Sequence, residues 1–498
     1  MQLLLLFSVF IIATCGLIYE LVAGTLASYL LGDSVTQFST IIGLYLFSMG
    51  IGSYLSKFFN RNLLAWFIQI ELLVGVVGGI SSACLFMIFN HVEMFRPVLY
   101  AFVAITGILV GVEIPLIMRI LKDKIQFTDL VSKVFTFDYI GALLASLIFP
   151  LVLVPQLGLV KTSFFFGMLN VVVGIIICYK LADEHPWSAY LKTSGFISLF
   201  LLLLGFVFSE RLTTMAEHNT FGERIIIAKS SPYQRIIVTK TNDRVKLYLN
   251  GNLQFNSKDE YRYHESLVHP AMSMLNERKN VLILGGGDGM AVRELLKYKE
   301  IANITLVDLD PEMVKLFSKN PLLTKLNKNA FATSKLKVIH TDAFQWVKTN
   351  QKKYDFICID FPDPGNYSVG KLYTKSFYSE VSKCLSDSGI MVVQSTSPFV
   401  ALKSYWCINK TIRSVGFNTL PYHIYLPSFG DWGYIMASKN KQLNFKHEFP
   451  IDLKFLNRET FEQATVFPKD MQEVETLVNK LDNQVLVDYF ETEWNKLL

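Results

Sequence analysis

The sequence predicts two structures in one chain: a multi-pass α-helical membrane domain, followed by a small β region and a Rossmann-like α/β domain. Three observations carry this prediction. Apolar runs dominate from Met1 to about Phe208, whereas beyond Ser209 charged and polar residues occur at ordinary globular frequency. From Asn280 onward, short apolar strands alternate with helical patterns, the signature of consecutive βαβ units. The first of those strands, Val281 to Leu284, opens into Gly285-Gly286-Gly287-Asp288-Gly289 ahead of a helix over 291–298. The chain thus divides into a transmembrane domain (1–208), a small β region with a pocket helix (209–275), the Rossmann-like domain (276–440) and a helical extension (441–498).

In the apolar half, seven segments stand out, at about 3–30, 38–56, 63–90, 97–118, 139–160, 162–179 and 193–208. Most reach the roughly 20 residues that a spanning helix needs, and the last two are short. No Lys or Arg precedes the first segment, and its apolar run is too long for a cleavable signal peptide. Loop charge does not fix the orientation. If all seven segments cross, Lys57, Arg61, Arg119, Lys122, Lys124, Lys133, Lys180 and Lys192 share one side, 8 basic residues against 3, and the polar half falls outside. If the segment holding Pro150 and Pro155 dips in and returns, the count is again 8 to 3, with the polar half inside. Glu20, Glu71, Glu113 and Asp138 lie in or at the edges of apolar segments. Such carboxylates point either to a cation path or sensor, or to side chains that reach the interface or a neighbouring helix, and both readings stand.

The polar half begins with short strands at 224–228, 235–240 and 245–249 and an Asn250-Gly251 hairpin turn. Asp259 to Glu265 enters a helix toward Met274 whose dense polar and aromatic groups, Tyr263 and His264 among them, suit a pocket wall. The glycines of the 285–289 turn allow close backbone approach to a ligand, with Gly285 and Gly286 nearest the strand. Asp288 inside the turn would repel a pyrophosphate, so a cationic or uncharged ligand fits better. The strand at 304–309 ends in Asp308, 20 residues beyond Asp288, the spacing of a carboxylate that binds both ribose hydroxyls. The strand at 336–340 leads to Asp342 and Ala343, and Asp342 is placed to accept a bond from an adenine amino group. The strand at 354–359 runs into Asp360-Phe361-Pro362-Asp363-Pro364, and one at 390–394 follows a helix ended by Gly389. A single Asp after a strand usually caps a helix. Four consecutive strands each delivering a carboxylate or glycine turn at the carboxyl edge, where open α/β sheets bind ligands, indicate a site.

Composition narrows the function further. A net charge of +5 with no Lys/Arg block excludes nucleic acid as an expected partner. The six cysteines form no C-x-x-C pair and the eight histidines no H-E-x-x-H pattern, so neither a disulfide framework nor a metal site is expected.

The stretches SPYQ (Ser231 to Gln234), YRYHE, GGGDG, VDLDPE, TDAF and DFPDP resemble, in this order, the motifs of the polyamine aminopropyltransferases, the spermidine synthase family. The resemblance covers about 225–440, and the apolar half looks like that of the membrane-bound bacterial members. It implies a methyltransferase-type sheet and aminopropyl transfer from decarboxylated S-adenosylmethionine, a co-substrate, to a diamine such as putrescine, with no prosthetic group. By position, Gln234, Asp308, Asp342 and Ala343 resemble adenosine contacts, and Asp288 the residue that holds the aminopropyl ammonium. His264 and Tyr263 resemble polyamine contacts, Asp360 the proton acceptor and Asp363 the anchor of the acceptor diamine. Two stretches depart from the family pattern: Gly365 to Tyr373 replaces G-P-x-x-x-LF, and Leu426 to Gly433 replaces I-P-T-Y-P-S-G. Both lie near the expected pocket and leave the identity of the amine open.

Two other readings stand beside this one. A methyltransferase on the same sheet would need room for an amino-acid carboxylate where Asp288 stands. A polyamine transporter or sensor would make the membrane half the working part. The co-substrate is made in the cytoplasm, which places the polar half there, on a cell-membrane protein with an even number of crossings. The C-terminal stretch, with helical spacing after Asp470, packs either on the sheet or against a second subunit in a homodimer.

Overall fold

The computed structural model describes residues 2–31, 34–88, 92–122, 124–182, 186–440, 443, 445 and 448–494. The chain forms two compact units, Met1–Arg224 and Ile225–Leu498.

The first unit consists of helices α1 (Gln2–Leu31), α2 (Ser34–Leu55), α3 (Leu63–Ile88), α4 (Val92–Leu121), α5 (Phe127–Ile148), α6 (Val154–Leu181) and α7 (Ser188–Phe221). Among the described residues six helical stretches are long and apolar enough to cross a membrane, and the fifth of them is the 55-residue run Phe127–Leu181. That run is far longer than one crossing needs, and it is bent. A π turn over Phe149–Leu153 contains Pro150, Pro155 follows it, and Gly158 takes φ +72°, so the helical ladder breaks where two amide donors are missing.

Side-chain contacts fix the direction of each arm. Gln2 Nε2 donates to Lys124 O (2.7 Å), and Arg119 Nη1 donates to Ser56 O (2.9 Å), which gathers the start of α1, the ends of α2 and α4 and the start of α5 at one end of the bundle. From there α5 runs beside α1, since Thr14 Oγ1 donates to Gly141 O (3.2 Å). Helix α6 runs antiparallel to α3: a Cβ on Gly174 would meet Glu71, and a Cβ on Gly75 would stand 2.7 Å from Gly167 O. Only glycine permits that close backbone approach, the usual device for tight helix pairs in apolar surroundings. In place of the re-entrant fifth segment, one of the ways to an even count of crossings, stands a hairpin in which α5 runs away from the Gln2 end and α6 runs back toward it. The last helix continues to Phe221, beyond the end of its apolar run at Phe208. Lys57, Arg61, Arg119, Lys122, Lys124 and Lys180 lie at the Gln2 end, and α7 ends at the other.

The second unit opens with a four-stranded antiparallel sheet, β1 (Arg224–Ser230), β2 (Arg235–Thr241), β3 (Arg244–Leu249) and β4 (Asn252–Asn256). Asn250 and Gly251 both have positive φ, as the tight hairpin between β3 and β4 demands. Helix α8 (Glu260–Met274) leads into a seven-stranded sheet of β5 (Asn280–Gly285), β6 (Asn303–Asp308), β7 (Leu336–His340), β8 (Tyr354–Asp360), β9 (Leu385–Gln394), β10 (Asn418–Leu426) and β11 (Gly430–Ser438). Its order is β10-β11-β9-β8-β5-β6-β7. The five strands β5 to β9 are parallel, and β10 and β11 run antiparallel at one edge. Successive strands pass from β5 to β6 on one side and to β8 on the other, so the switch point lies at the carboxyl ends of β5 and β8. Both faces of β5 are buried, by Val281 and Ile283 on one side and Leu282 and Leu284 on the other, which explains its unbroken apolar run.

Two local expectations need correction. The helix before β9 ends at Cys384 rather than Gly389, because Leu385 already pairs with Tyr354 of β8 and Gly389 lies inside the strand. Among the described residues the C-terminal stretch is mostly an irregular strap, helical only over Arg458–Ala464 and Val485–Trp494, with a short 3-10 turn at Lys469–Met471. It packs on its own unit: the Asn479 side-chain amide donates to Gly370 O (3.3 Å) and Tyr373 O (3.1 Å), and Leu486 is fully buried.

Candidate active site

The chain reverses direction at the end of β5, and the cause is steric. Gly285 has φ +84°, and a Cβ there would stand 2.1 Å from Asp360 O on β8. The next turn residue, Gly287, lies against the side chain at the tip of β6, where a Cβ would meet Asp308 Oδ2 at 2.7 Å. The glycine turn thus lets three carboxylates, Asp288, Asp308 and Asp360, converge on one edge of the sheet.

Tyr263 of α8 reaches this edge and its hydroxyl donates to Asp360 Oδ1 at 2.5 Å. The Tyr263 backbone is held in turn by the Tyr434 hydroxyl of β11, which donates to its carbonyl at 3.2 Å. Burial raises the Asp360 carboxyl above the ordinary carboxylate range, while the cationic His264 and the Tyr263 hydroxyl pull it back down. Asp288 accepts the Met290 backbone N–H at 2.9 Å, and burial lifts its pKa to about 6. Asp363 accepts at 3.3 Å from Gln394 Nε2, an amide that also bonds Phe361 O and the Tyr373 hydroxyl (3.0 Å). Burial takes Asp363 up to about 7 against the pull of Gln394 and Thr396.

On the nucleotide side, Asp308 Oδ1 accepts the Asp310 N–H (2.8 Å), and burial raises its pKa to about 6. Gln234 reaches the same tip: its Nε2 donates to Asp310 Oδ2 (2.8 Å), which Ser231 Oγ also bonds (2.7 Å). Asp342 is engaged from two sides, its Oδ1 by the Gln345 N–H (3.0 Å) and its Oδ2 by Lys371 Nζ (2.6 Å), and Ala343 begins the helix it caps. Burial opposes ionisation there, but Lys371 holds Asp342 below the usual range.

His264 stands behind this edge with its Nδ1 2.8 Å from Glu260 Oε2, and Glu260 is itself bound in a fork by Arg293 (2.8 and 2.9 Å). Burial alone would lower the imidazole pKa, yet Glu260, Asp288 and Asp360 raise it to about 9, so it is a fixed cation beside the acidic cluster. Glu260 is pushed upward by burial but brought down to about 2 by His264 and Arg293. The signs follow. Glu260 stabilises the fold above its ordinary 4.5 and loses that contribution as the pH falls through 2; His264 does so below its ordinary 6.5 and loses it as the pH rises through 9. The pair is at full strength between about pH 4.5 and 6.5. In Glu260→Gln the imidazole pKa should fall well below 9, with Asp288 and Asp360 still holding it up against burial, which NMR of histidine-labelled protein measures directly.

Sequence reasoning did not single out Glu260, Arg293, Gln394, Tyr373, Tyr434 or Asp310 as supports. Only Asp310 carried a signal in the sequence, as the Asp before Pro311 that caps a helix. The others act through partners distant in the chain, for which one sequence offers no cue. Among the described residues no group of three or more His, Cys, Asp or Glu is arranged to hold a metal ion.

Residues 260–448 match the Spermine/spermidine synthase domain family. A solved spermidine synthase in complex with the transition-state analogue AdoDATO is 27% identical, covering 50% of this chain and 88% of that one, with a TM-score of 0.47. A polyamine aminopropyltransferase of Ralstonia nicotianae is 48% identical over 99% of both chains. The polyamine aminopropyltransferase of Leptospira interrogans is 50% identical over all of both chains. With that identity running through apolar and polar halves alike, the chain belongs to the polyamine aminopropyltransferase family.

Proposed function

We propose that the enzyme transfers the aminopropyl group of decarboxylated S-adenosylmethionine to a diamine, most simply putrescine, releasing methylthioadenosine and forming spermidine. The observation that carries this reading is the convergence of Asp288, Asp308 and Asp360 on the switch point, with Tyr263 bonded to Asp360 at 2.5 Å. The reaction is an in-line attack of a neutral amine on the carbon beside a sulfonium. Positive charge leaves sulfur as the new C–N bond forms, and the nitrogen must lose a proton. Asp360 accepts that proton, its raised pKa bringing it closer to the operating pH, and Tyr263 orients it. Asp363 anchors the far ammonium of the diamine, and Asp288 holds the ammonium of the aminopropyl arm. Asp308 binds the ribose hydroxyls, with Gly285 and Gly286 admitting the nucleoside and Gln234, Asp342 and Ala343 bordering it.

The same carboxylates repel the α-carboxylate of ordinary S-adenosylmethionine. At about 4 Å and an effective dielectric near 20, one such pair differs by about 4 kcal/mol between attraction to a cation and none. This argues against the methyltransferase reading. The test is methylthioadenosine release by the purified full chain with decarboxylated S-adenosylmethionine and a panel of diamines. Release that depends on one amine supports the reading and names the acceptor; none with any amine would sink it.

The seven helices of the first unit form a bilayer-spanning anchor in this reading. Large apolar side chains face outward from them, including Phe47, Leu151, Phe200 and Leu201, each at least 60% exposed. Two arguments about sidedness oppose each other. The basic loops lie at the end opposite the exit of α7, which by the positive-inside tendency puts the catalytic half outside. The co-substrate is cytoplasmic, and the reaction cannot run without it, whereas loop charge is only a statistical bias; we therefore place the catalytic half in the cytoplasm. A C-terminal fluorescent-protein fusion should be bright and an alkaline phosphatase fusion inactive. The reverse pattern would mean that loop charge decides.

A further inference from the structure

Near the middle of the helical unit lies a set of polar side chains that aminopropyl transfer does not use. Glu71 of α3 and Glu113 of α4 are 0% and 1% exposed. No hydrogen-bond partner reaches any of their four oxygens, and the two carboxyl groups lie within electrostatic reach of each other. Asn170 of α6 is fully buried and both its amide nitrogen and its oxygen are unpartnered; the Tyr19 hydroxyl of α1 is in the same state.

Along α3 these groups span about two turns, from Glu71 itself to the Gly78 that Tyr19 covers. Glu71 and Asn170 interleave across the α3–α6 seam, the Cβ of Glu71 lying over Gly174 and that of Asn170 over Gly75, 3.4 and 3.3 Å from where a glycine Cβ would stand. Tyr19 packs its ring on Gly78 of α3 and lies within electrostatic reach of both carboxyl groups. Glu71 is the ninth residue of α3 and Glu113 the ninth from the end of α4, and both helix ends lie at the Gln2 end. At 1.5 Å per residue that is ~12 Å into the bundle, close to the middle of a ~30 Å hydrocarbon layer. Beside Tyr19 a narrow crevice is lined by Glu20, Tyr45, Ser81 and Thr106.

The chemistry of the set is one-sided. It holds five unpaired carboxyl and amide oxygens but only the Asn170 amide and the Tyr19 hydroxyl as donors, and a buried polar group left unpaired is costly. A proton shared by the two carboxyls would satisfy them and leave Asn170 and Tyr19 unpaired. A metal ion would want more anionic ligands than this, and among the described residues no such cluster occurs. A primary ammonium, with three N–H donors, no acceptor and a slender alkyl tail, matches the deficit. We infer that Glu71, Glu113 and Asn170 form a binding site for the ammonium end of a linear alkylamine, whose chain extends past Tyr19 into the Glu20 crevice. The inference rests on the membrane-spanning reading of the helices and uses no residue of the transfer site.

The experiment is equilibrium binding of radiolabelled spermidine to the full chain in lipid nanodiscs, with methylthioadenosine release assayed on the same samples. Wild type should show two classes of site. The Glu71→Gln, Glu113→Gln double variant should lose one class, or bind it roughly tenfold or more weaker, whereas Glu71→Asp, which keeps the charge, should retain it and report that the bundle still folds. Spermidine binding in which every class is indifferent to Glu71 and Glu113 overturns the inference. Loss of methylthioadenosine release in the wild type would instead count against the transferase reading, independently of the binding result.

Discussion

Asp360→Asn should lower turnover by roughly 10²–10⁴-fold, the range over which a positioned acid or base acts, while binding of decarboxylated S-adenosylmethionine stays within a fewfold of wild type. The amide keeps an oxygen for the Tyr263 hydroxyl, now 2.5 Å from Asp360 Oδ1, so packing at the end of β8 is preserved. What it cannot do is accept a proton from the attacking nitrogen. Pre-steady-state methylthioadenosine formation and calorimetric titration of the nucleotide separate the two effects. Abolished nucleotide binding in a folded variant would move Asp360 from proton acceptor to nucleotide ligand. The wild-type rate should fall on acidification through the raised pKa of Asp360, since only the carboxylate accepts the proton. Asp363, at about 7, falls in the same direction for the acceptor's anchoring, and so KM for the amine should rise as kcat falls.

Asp308→Ala is the second large effect and acts on binding. A carboxylate that accepts from both ribose hydroxyls makes two charge-assisted hydrogen bonds, each worth about 1.5–3 kcal/mol. Their loss should raise KM for the co-substrate by roughly 10²–10⁴-fold, with a much smaller change in kcat. The backbone consequence is limited, because Asp308 also caps the Asp310 N–H and that amide can turn to water. The prediction is checked by initial rates over a wide co-substrate range. An unchanged KM would remove Asp308 from the nucleotide site.

Much of the second unit was legible because its strands are buried on both faces and end in chemically distinctive residues. Val281 to Leu284 and Phe356 to Ile359 read as uninterrupted apolar runs, Ile304 to Val307 as one broken only by Thr305, and the Asp or Gly after each marks the sheet edge. Gly389 was misread because a glycine after a helical pattern usually caps it, whereas here pairing of Leu385 with Tyr354 extends β9 backward. The tail was misread because Met471, Val474 and Leu477 show helical spacing, yet only Met471 of the three is fully covered, in an extended strap. In the first half, apolar runs located the helices but not their ends: polar residues continue α7 to Phe221, and Asp129 and Lys133 lie inside the first turns of α5. The break around Gly158 was announced by Pro150 and Pro155, but the sequence did not say that the two arms would form a hairpin.

The strap over the second unit has a mechanical meaning. Asn479 clasps the carbonyl of Tyr373, the Tyr373 hydroxyl meets Gln394 Nε2, and that same amide touches Asp363. Hydrogen bonds thus connect the tail through three side chains to Asp363, the carboxylate proposed to grip the incoming amine. Replacing the strap with every sheet-edge residue unchanged should therefore alter which amine is preferred, and an unchanged preference over a panel of diamines would cut that link.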